Sequence, residues 1–123
     1  SGFLARLFEV FRHHRTSVDL VATAEVSVSL TVDADAPLDR LRADLEAFAR
    51  VEVAEDRAIV ALVGERLKAT PGVTGRAFGA LGDLNVEMIS MGANEINLSL
   101  VVRHDEAPEA LRRLHAAFFE EAP

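Results

Sequence analysis

The sequence predicts an α+β fold in which one small unit of helices and antiparallel strands occurs twice. Three observations predict it: a repeat of roughly 70 residues, alternation of apolar and polar residues, and helix-like stretches around each alternating run. Residues 17–21 (SVDLV) align with residues 85–89 (NVEMI), and residues 25–32 align with residues 95–102. Both halves therefore share one chain order.

Four stretches of the sequence have helical periodicity. Their apolar residues recur at intervals of three and four, as on one face of an amphipathic helix. Prolines stand near three of the predicted starts, where a missing N–H costs little. The four apolar faces consist of Phe3, Leu4, Leu7, Phe8 and Phe11; Leu38, Leu41, Leu45 and Phe48; Val73, Ala77, Leu81 and Leu84; and Ala107, Leu111, Leu114 and Phe118.

The strands are predicted from a period of two. Val26, Val28, Leu30 and Val32 alternate with polar residues, which indicates an antiparallel sheet covered on one face. Residues 50–53 and 58–63 form two more β-prone runs. The predicted domains are residues 1–54 and 55–123. Relative to a complete βαββαβ unit, the first lacks its leading strand and the second its closing strand, so unpaired sheet edges are expected to recruit other chains.

Composition excludes several classes of function. The net charge of −7 repels phosphate backbones and anionic lipids, so neither nucleic acid nor a membrane surface is an expected partner. The absence of cysteine removes disulfides and a thiolate nucleophile, and it fits a cytoplasmic protein. The four histidines lack chelating spacing, and no serine can be tied to a histidine and an acid, so we predict neither a metal site nor catalytic residues. The abrupt start before a helical pattern suggests a piece of a longer polypeptide.

One cluster combines carboxylates with hydroxyls: Ser17, Asp19, Thr23 and Glu25 fall on one predicted strand pair. If the acids converge near the helix start at Gly2, the arrangement suits a zwitterion. Helix N–H groups would hold its carboxylate, and the acidic side chains would hold ammonium groups. The alternative is a set of solvated charges at strand ends, and spacing alone leaves both interpretations open.

These same residues resemble a known family. Residues 17–31 (SVDLVATAEVSVSLT) resemble the signature of lysine-sensitive aspartate kinases, which is Ser-Val-Asp, three or four residues, then Thr-Ser-Glu-Val-Ser. Residues 92–102 (GANEINLSLVV) resemble the second ACT motif of those enzymes, and residues 1–4 resemble the loop that leads into their first ACT helix. The resemblance spans essentially the whole chain. It implies two ferredoxin-like βαββαβ ACT modules with antiparallel sheets and helices on one face.

The resemblance also implies a function. The chain would be a regulatory region that binds L-lysine, forms a homodimer through its ACT modules, and mediates feedback inhibition in lysine, threonine and methionine biosynthesis. An upstream kinase domain would use ATP and Mg to phosphorylate L-aspartate, and this fragment would have neither catalytic residues nor a cofactor. The implied effector-binding residues are Gly2, Phe3, Leu4, Ser17, Val18, Asp19, Thr23, Glu25 and Val26.

Two features of the sequence bear on alternative functions: one difference from the family signature, and the lack of cysteines and chelating histidines. Ala24 replaces the serine usual before the Glu-Val-Ser triplet, so a hydroxyl near the pocket is lost. An ACT-type dimerisation module without a functional effector site is therefore the second interpretation, and threonine is a second candidate effector. An independent enzyme or metal-binding domain is a third, which the missing cysteines and chelating histidines disfavour.

Overall fold

The computed structural model describes residues 2–63, 72–91 and 97–119. Contacts divide the chain into two compact units, Ser1–Val53 and Ala54–Pro123. Ser1, Pro71 and residues 92–96, which belong to the sequence motifs above, lie outside the described residues. In chain order the elements are α1 (Phe3–His13), β1 (Val18–Thr23), β2 (Val28–Val32), α2 (Leu38–Leu45), β3 (Arg57–Val63), α3 (Val73–Leu81), β4 (Met88–Met91), β5 (Asn97–Arg103), a 3₁₀ turn (His104–Glu106) and α4 (Ala107–Phe119).

The first unit packs two helices against one face of a hairpin. β1 and β2 pair antiparallel, and their apolar residues lie against a core from α1 and α2. α1 ends where Arg15 adopts a left-handed conformation (φ 52°), which lets the Thr16 N–H donate to the Phe11 carbonyl at 2.9 Å. α2 follows Pro37, which suits a helix start. The buried core residues are Leu7, Phe11, Leu41 and Leu45.

The second unit has a three-stranded antiparallel sheet in the order β3-β5-β4. The central strand β5 is buried from Leu98 to Val102 because both of its edges are paired and α3 and α4 cover one of its faces. Each strand offers alternate residues to the helices, as the period of two requires. The core consists of Val60, Leu62, Ala77, Leu81, Leu98, Leu100, Val102, Ala110 and Leu114.

Arg113 ties α4 to the end of α3. Its guanidinium donates to the Leu81 carbonyl at 2.8 Å and to the Asp83 carboxylate at 2.9 Å, and it also contacts Glu109 one turn earlier on α4. The last carbonyls of a helix lack intrahelical partners, so a cation at this place is favourable. Arg113 thus satisfies a polar helix end beside an apolar core.

The structure confirms the α+β class, with antiparallel sheets and helices on one sheet face, and corrects three details. Residues 50–53 form no strand: Val51 packs into the first core instead, and among the described residues no backbone pairs with this segment. The first unit therefore has two strands in place of the three predicted. Val26 belongs to a turn and not to β2, and Leu111 is 54% exposed because Ala110 and Leu114 face the core.

Within residues 2–63, 72–91 and 97–119, no helix has the length and apolar character to cross a bilayer.

The assignment of the second core can be tested by substitution of Leu100. It is fully buried in β5, so Leu100→Ala should lower the free energy of unfolding by about 2–5 kcal/mol through lost burial and a residual cavity. Ile59→Ala, on neighbouring β3 at 43% exposure, is the matched control and should cost less than about half as much. Urea unfolding of both variants measures the difference, and equal losses would contradict the assigned core.

Glu109 should make stability depend on pH. Hydrogen bonds from Arg112 and Arg113 lower its pKa from the usual 4.5 to about 2. The stabilisation of the folded state by ionised Glu109 is therefore complete above pH 4.5 and is lost as the pH falls toward 2. Unfolding of Glu109→Gln should depend less on pH between 4.5 and 2 than unfolding of the wild type. Glu106→Gln, in the preceding 3₁₀ turn, should keep the wild-type slope; an unchanged slope in Glu109→Gln would contradict the pairing.

Candidate functional site

The opening of α1 leaves backbone donors available. Gly2 stands at the N-cap in a left-handed conformation (φ 82°, ψ −3°), and no described side chain caps this end. The Gly2 carbonyl accepts the Arg6 N–H at 3.0 Å, so the N–H groups of the first turn point out of the helix. Phe3 and Leu4 are 41% and 44% exposed beside them. Such a terminus carries partial positive charge and favours an anion.

The β1–β2 hairpin contains a bulge at Asp19 and Leu20. Val18 pairs with Val32 and Val21 with Leu30, so three residues of β1 advance against two of β2. The Leu20 N–H donates to the Thr31 hydroxyl at 2.9 Å instead of to the neighbouring strand's backbone. Bulges redirect side chains and occur near functional sites. The side chains of β1 nevertheless alternate throughout between half-buried and exposed, so Asp19 and Thr23 are both on the exposed side of the strand.

Glu25 and Val26 occupy the tight turn between the two strands. The Ala24 N–H donates to the Ser27 carbonyl at 2.8 Å and closes this turn, which leaves Val26 94% exposed. Four residues of strand separate Asp19 from Thr23, or roughly 13 Å at ~3.3 Å per residue. The carboxylates of Asp19 and Glu25 therefore lie at different levels of the hairpin.

The predicted site residues all belong to the first unit and are divided between the α1 opening and the hairpin. Gly2, Phe3 and Leu4 form the opening, and the other six residues lie on or beside β1 and in its turn. Asp19 and Glu25 are exposed, and in the part of the chain that the structure describes neither carboxylate makes a hydrogen bond or an ion pair. Their joint action on one ligand stays a prediction.

Sequence reasoning named two of the aromatic residues in this region but missed the contacts that hold them in place. Phe48 packs edge-on against Phe3 with ring centroids 5.8 Å apart, and the Arg6 guanidinium lies 4.3 Å from the Phe48 centroid. A signal for this contact is present in the repeat, since Arg76 and Phe118 stand 70 positions later. They form the same contact in the second unit at 5.1 Å.

The second unit has a counterpart of the candidate site with different electrostatics. α3 also opens at a left-handed glycine, Gly72 (φ 78°, ψ 11°), without a side-chain cap. Glu87 aligns with Asp19, but its carboxylate accepts a hydrogen bond from the Arg57 Nε at 2.8 Å. This bond raises the pKa of Arg57 above its usual value. Glu87 thus has a cation partner that Asp19 lacks.

A shallow concavity of about 250 Å³ lies at this end of the second sheet, lined by Asp56, Arg57, Arg103, His104 and Asp105. No group of three or more histidine or acidic side chains in residues 2–63, 72–91 and 97–119 is arranged to hold a metal ion.

Comparison with known proteins shows the family of this chain. The ACT domain family model matches residues 60–118, within the second unit. Lysine-sensitive aspartokinase 3 from Escherichia coli K12 is 41% identical over 97% of this chain and 28% of its own length. This chain thus spans about a quarter of the length of such relatives.

Two solved structures are similar across nearly the whole chain. A structure described as a C-terminal regulatory domain of aspartate kinase from Porphyromonas gingivalis W83 is 36% identical with a TM-score of 0.84, and the match covers 95% of this chain and 80% of that one. Aspartokinase III from E. coli in complex with lysine and aspartate is 41% identical with a TM-score of 0.79, over 97% of this chain and 28% of that one.

Fold and family model together define an ACT-type regulatory protein. The identity and mutual coverage with the P. gingivalis domain show that the chain belongs to the family of aspartate kinase C-terminal regulatory domains.

The bulge can be tested through Thr31. Thr31→Val removes the acceptor of the Leu20 N–H while preserving side-chain shape, and should destabilise the first unit by about 1–2 kcal/mol. Amide hydrogen exchange at Leu20 should accelerate in the same variant. Thr31→Ser keeps the hydroxyl and should retain protection of this amide; equal exchange in both variants would show that the bond does not support the bulge.

Proposed function

We propose that this chain senses free L-lysine and transmits its binding to an aspartate kinase catalytic domain. One observation carries the proposal: the hairpin that bears the lysine-sensitive signature presents Asp19 and Glu25 exposed and without a described cation partner. Uncompensated carboxylates suit a ligand that brings its own positive charges.

The arrangement of charges favours a diamino acid. The ligand's carboxylate would accept hydrogen bonds from the backbone N–H groups at the opening of α1, around Gly2, Phe3 and Leu4. Its two ammonium groups, separated by a flexible chain, would reach two acids at different levels of the hairpin. Threonine has no second ammonium group for the second acid, so lysine is the better match.

The remaining predicted residues have auxiliary roles in this proposal. The Ser17 and Thr23 hydroxyls would complete hydrogen bonds to the ligand, since both residues are exposed. Val18 is half-buried in β1, and Val26 is fully accessible in the turn. Both would provide apolar contact for the methylene chain of lysine.

The parent protein in this proposal is a cytoplasmic aspartate kinase. Its catalytic domain would phosphorylate the side-chain carboxylate of L-aspartate with ATP and Mg²⁺, none of which this chain needs to hold. Lysine would stabilise one arrangement of the regulatory modules and bias the kinase toward an inactive state. Coupling of this kind is typically worth ~1–3 kcal/mol.

We also propose that the first unit is a second, shorter ACT module and that the modules pair in a homodimer. Its order of helix, strand, strand and helix recurs in the second unit. A two-stranded sheet is marginal alone, and among the described residues the outer edges of β1 and β2 are unpaired. Pairing with another copy would extend this sheet.

A dimerisation module with no effector is the second candidate, and Ala24 favours it by removing a hydroxyl from the turn. Light scattering with and without lysine separates the two functions. A dimer that is indifferent to lysine and to every other amino acid would support this candidate.

Lysine titration should depend on both acids. Asp19→Asn and Glu25→Gln preserve side-chain shape but remove a charge-assisted hydrogen bond worth ~1.5–3 kcal/mol, so each should weaken lysine about tenfold or more by calorimetry. Asp35→Asn, an equal charge change at an exposed position of the same unit, is the control and should bind normally. Unchanged heats in both site variants would remove these residues from the site.

A further inference from the structure

The ion pair between Arg57 and Glu87 distinguishes the second unit from the first. We propose that Arg57 is a built-in cation that takes, at Glu87, the place that a ligand's ammonium group takes at Asp19, so that only the first unit accepts a free amino acid. This inference rests on the proposed lysine site of the first unit and adds a mechanism that closes its counterpart.

The equivalence of the two places is supported by three independent features of the structure. Both units contain the order helix, strand, strand and helix. Both leading helices open at a left-handed glycine whose carbonyl accepts an arginine N–H four residues later, at 3.0 Å for Gly2 and 2.9 Å for Gly72. In both, that same arginine lies over a phenylalanine ring. Glu87 and Asp19 then occupy matching positions of the aligned strand motif.

The contacts of the two acids differ sharply. The Asp19 carboxylate is exposed and makes no hydrogen bond or ion pair with the described part of the chain. The Glu87 carboxylate instead accepts a hydrogen bond from the Arg57 Nε at 2.8 Å. The side chains of Arg57 and Glu87 are only 32% and 28% exposed.

Arg57 is itself fixed at a second point. Its Nη1 donates to the Glu55 carbonyl at 2.6 Å while its Nε binds Glu87. A cation held in this way has a high effective concentration at Glu87, because folding has already fixed its side chain in place. A free ammonium ligand would have to displace the Arg57 guanidinium from the Glu87 carboxylate. Glu87 is therefore closed to ligands that do not bind more strongly than Arg57 does.

A shallow concavity lies beside Arg57. Arg57 lines the concavity of about 250 Å³, just below the ~300–1,000 Å³ of typical small-molecule pockets. Removing the Arg57 side chain would enlarge this concavity and leave Glu87 without its cation. The uncompensated acid that we assign to the first site would then be present in the second unit too, with an open concavity nearby.

The pair also has a possible structural role, which the experiment must separate from the proposed one. Arg57 begins β3 and Glu87 immediately precedes β4, the two strands that flank β5, so the pair links both outer strands. If it only stabilises the sheet, its loss lowers the melting temperature and creates no binding.

The experiment is calorimetric titration of lysine into the wild-type chain and into Arg57→Met. We expect one class of sites in the wild type and a second, weaker class in Arg57→Met, so that the stoichiometry roughly doubles once Glu87 loses its partner. Arg103→Met is the matched control: Arg103 lies directly opposite Arg57 on β5, but its ion pair is with Asp105, so the stoichiometry should stay at the wild-type value.

The double variant Arg57→Met/Glu87→Gln assigns the new sites. It should lose the second class and return to the wild-type stoichiometry. If Arg57→Met does not fold, Arg57→Gln removes the charge while keeping a hydrogen-bond donor, and the same doubling is expected of it.

The outcomes separate this inference from the proposed function. A wild-type chain that takes no lysine refutes the proposed function and this inference with it. Wild-type binding with an unchanged stoichiometry in a folded Arg57 variant overturns only the inference, and a lowered melting temperature without new sites assigns the pair to the sheet alone. A second class that persists in the double variant also overturns it.

Discussion

Both units depend on covering one apolar face of an antiparallel sheet with two helices. Burial of apolar area is the dominant favourable term in folding, and in the second unit it is concentrated on β5, where Leu100 and Val102 are fully inaccessible. Because the helices take one sheet face, polar side chains are left at strand ends, in turns and at helix openings. The candidate site residues occupy such places, so the fold can keep its core while the chemistry of these positions changes.

The first unit covers its sheet with a smaller apolar core. Four buried residues form its core, and its sheet has two strands, a size that is marginal without packing against helices. Polar and aromatic contacts therefore contribute to its geometry. The Thr31 hydroxyl satisfies the N–H freed by the bulge, and Phe48 joins the start of α1 to the segment after α2. These contacts position the surfaces that carry Gly2 and Asp19 without extending the core.

Much of this architecture could be predicted from periodicity, since α1 and β5 follow the spacing of their apolar residues. Residues 50–53 were β-prone but form no strand, because a strand needs a neighbouring backbone to pair with and composition does not reveal one. The shift of register between β1 and β2 next to Asp19 leaves the alternation of β1 unchanged, so the pattern of apolar residues did not predict it. The motif suggested which residues to consider for the site, whereas the Arg57–Glu87 contact joins residues 30 positions apart and needed the structure.

Two units with the same order of elements can differ in their response to a ligand. A change of charge balance at one position is enough to make them differ, because it leaves the backbone as it is. A carboxylate with a fixed intramolecular cation has already exchanged its hydration for an ion pair, and a ligand gains only the difference between two similar interactions. A carboxylate that is still hydrated has no competing cation, so a ligand has only water to displace. If Arg57 has this role, a single side chain separates a responsive unit from a silent one, while α1 and α3 keep the same glycine opening and the same arginine–phenylalanine contact.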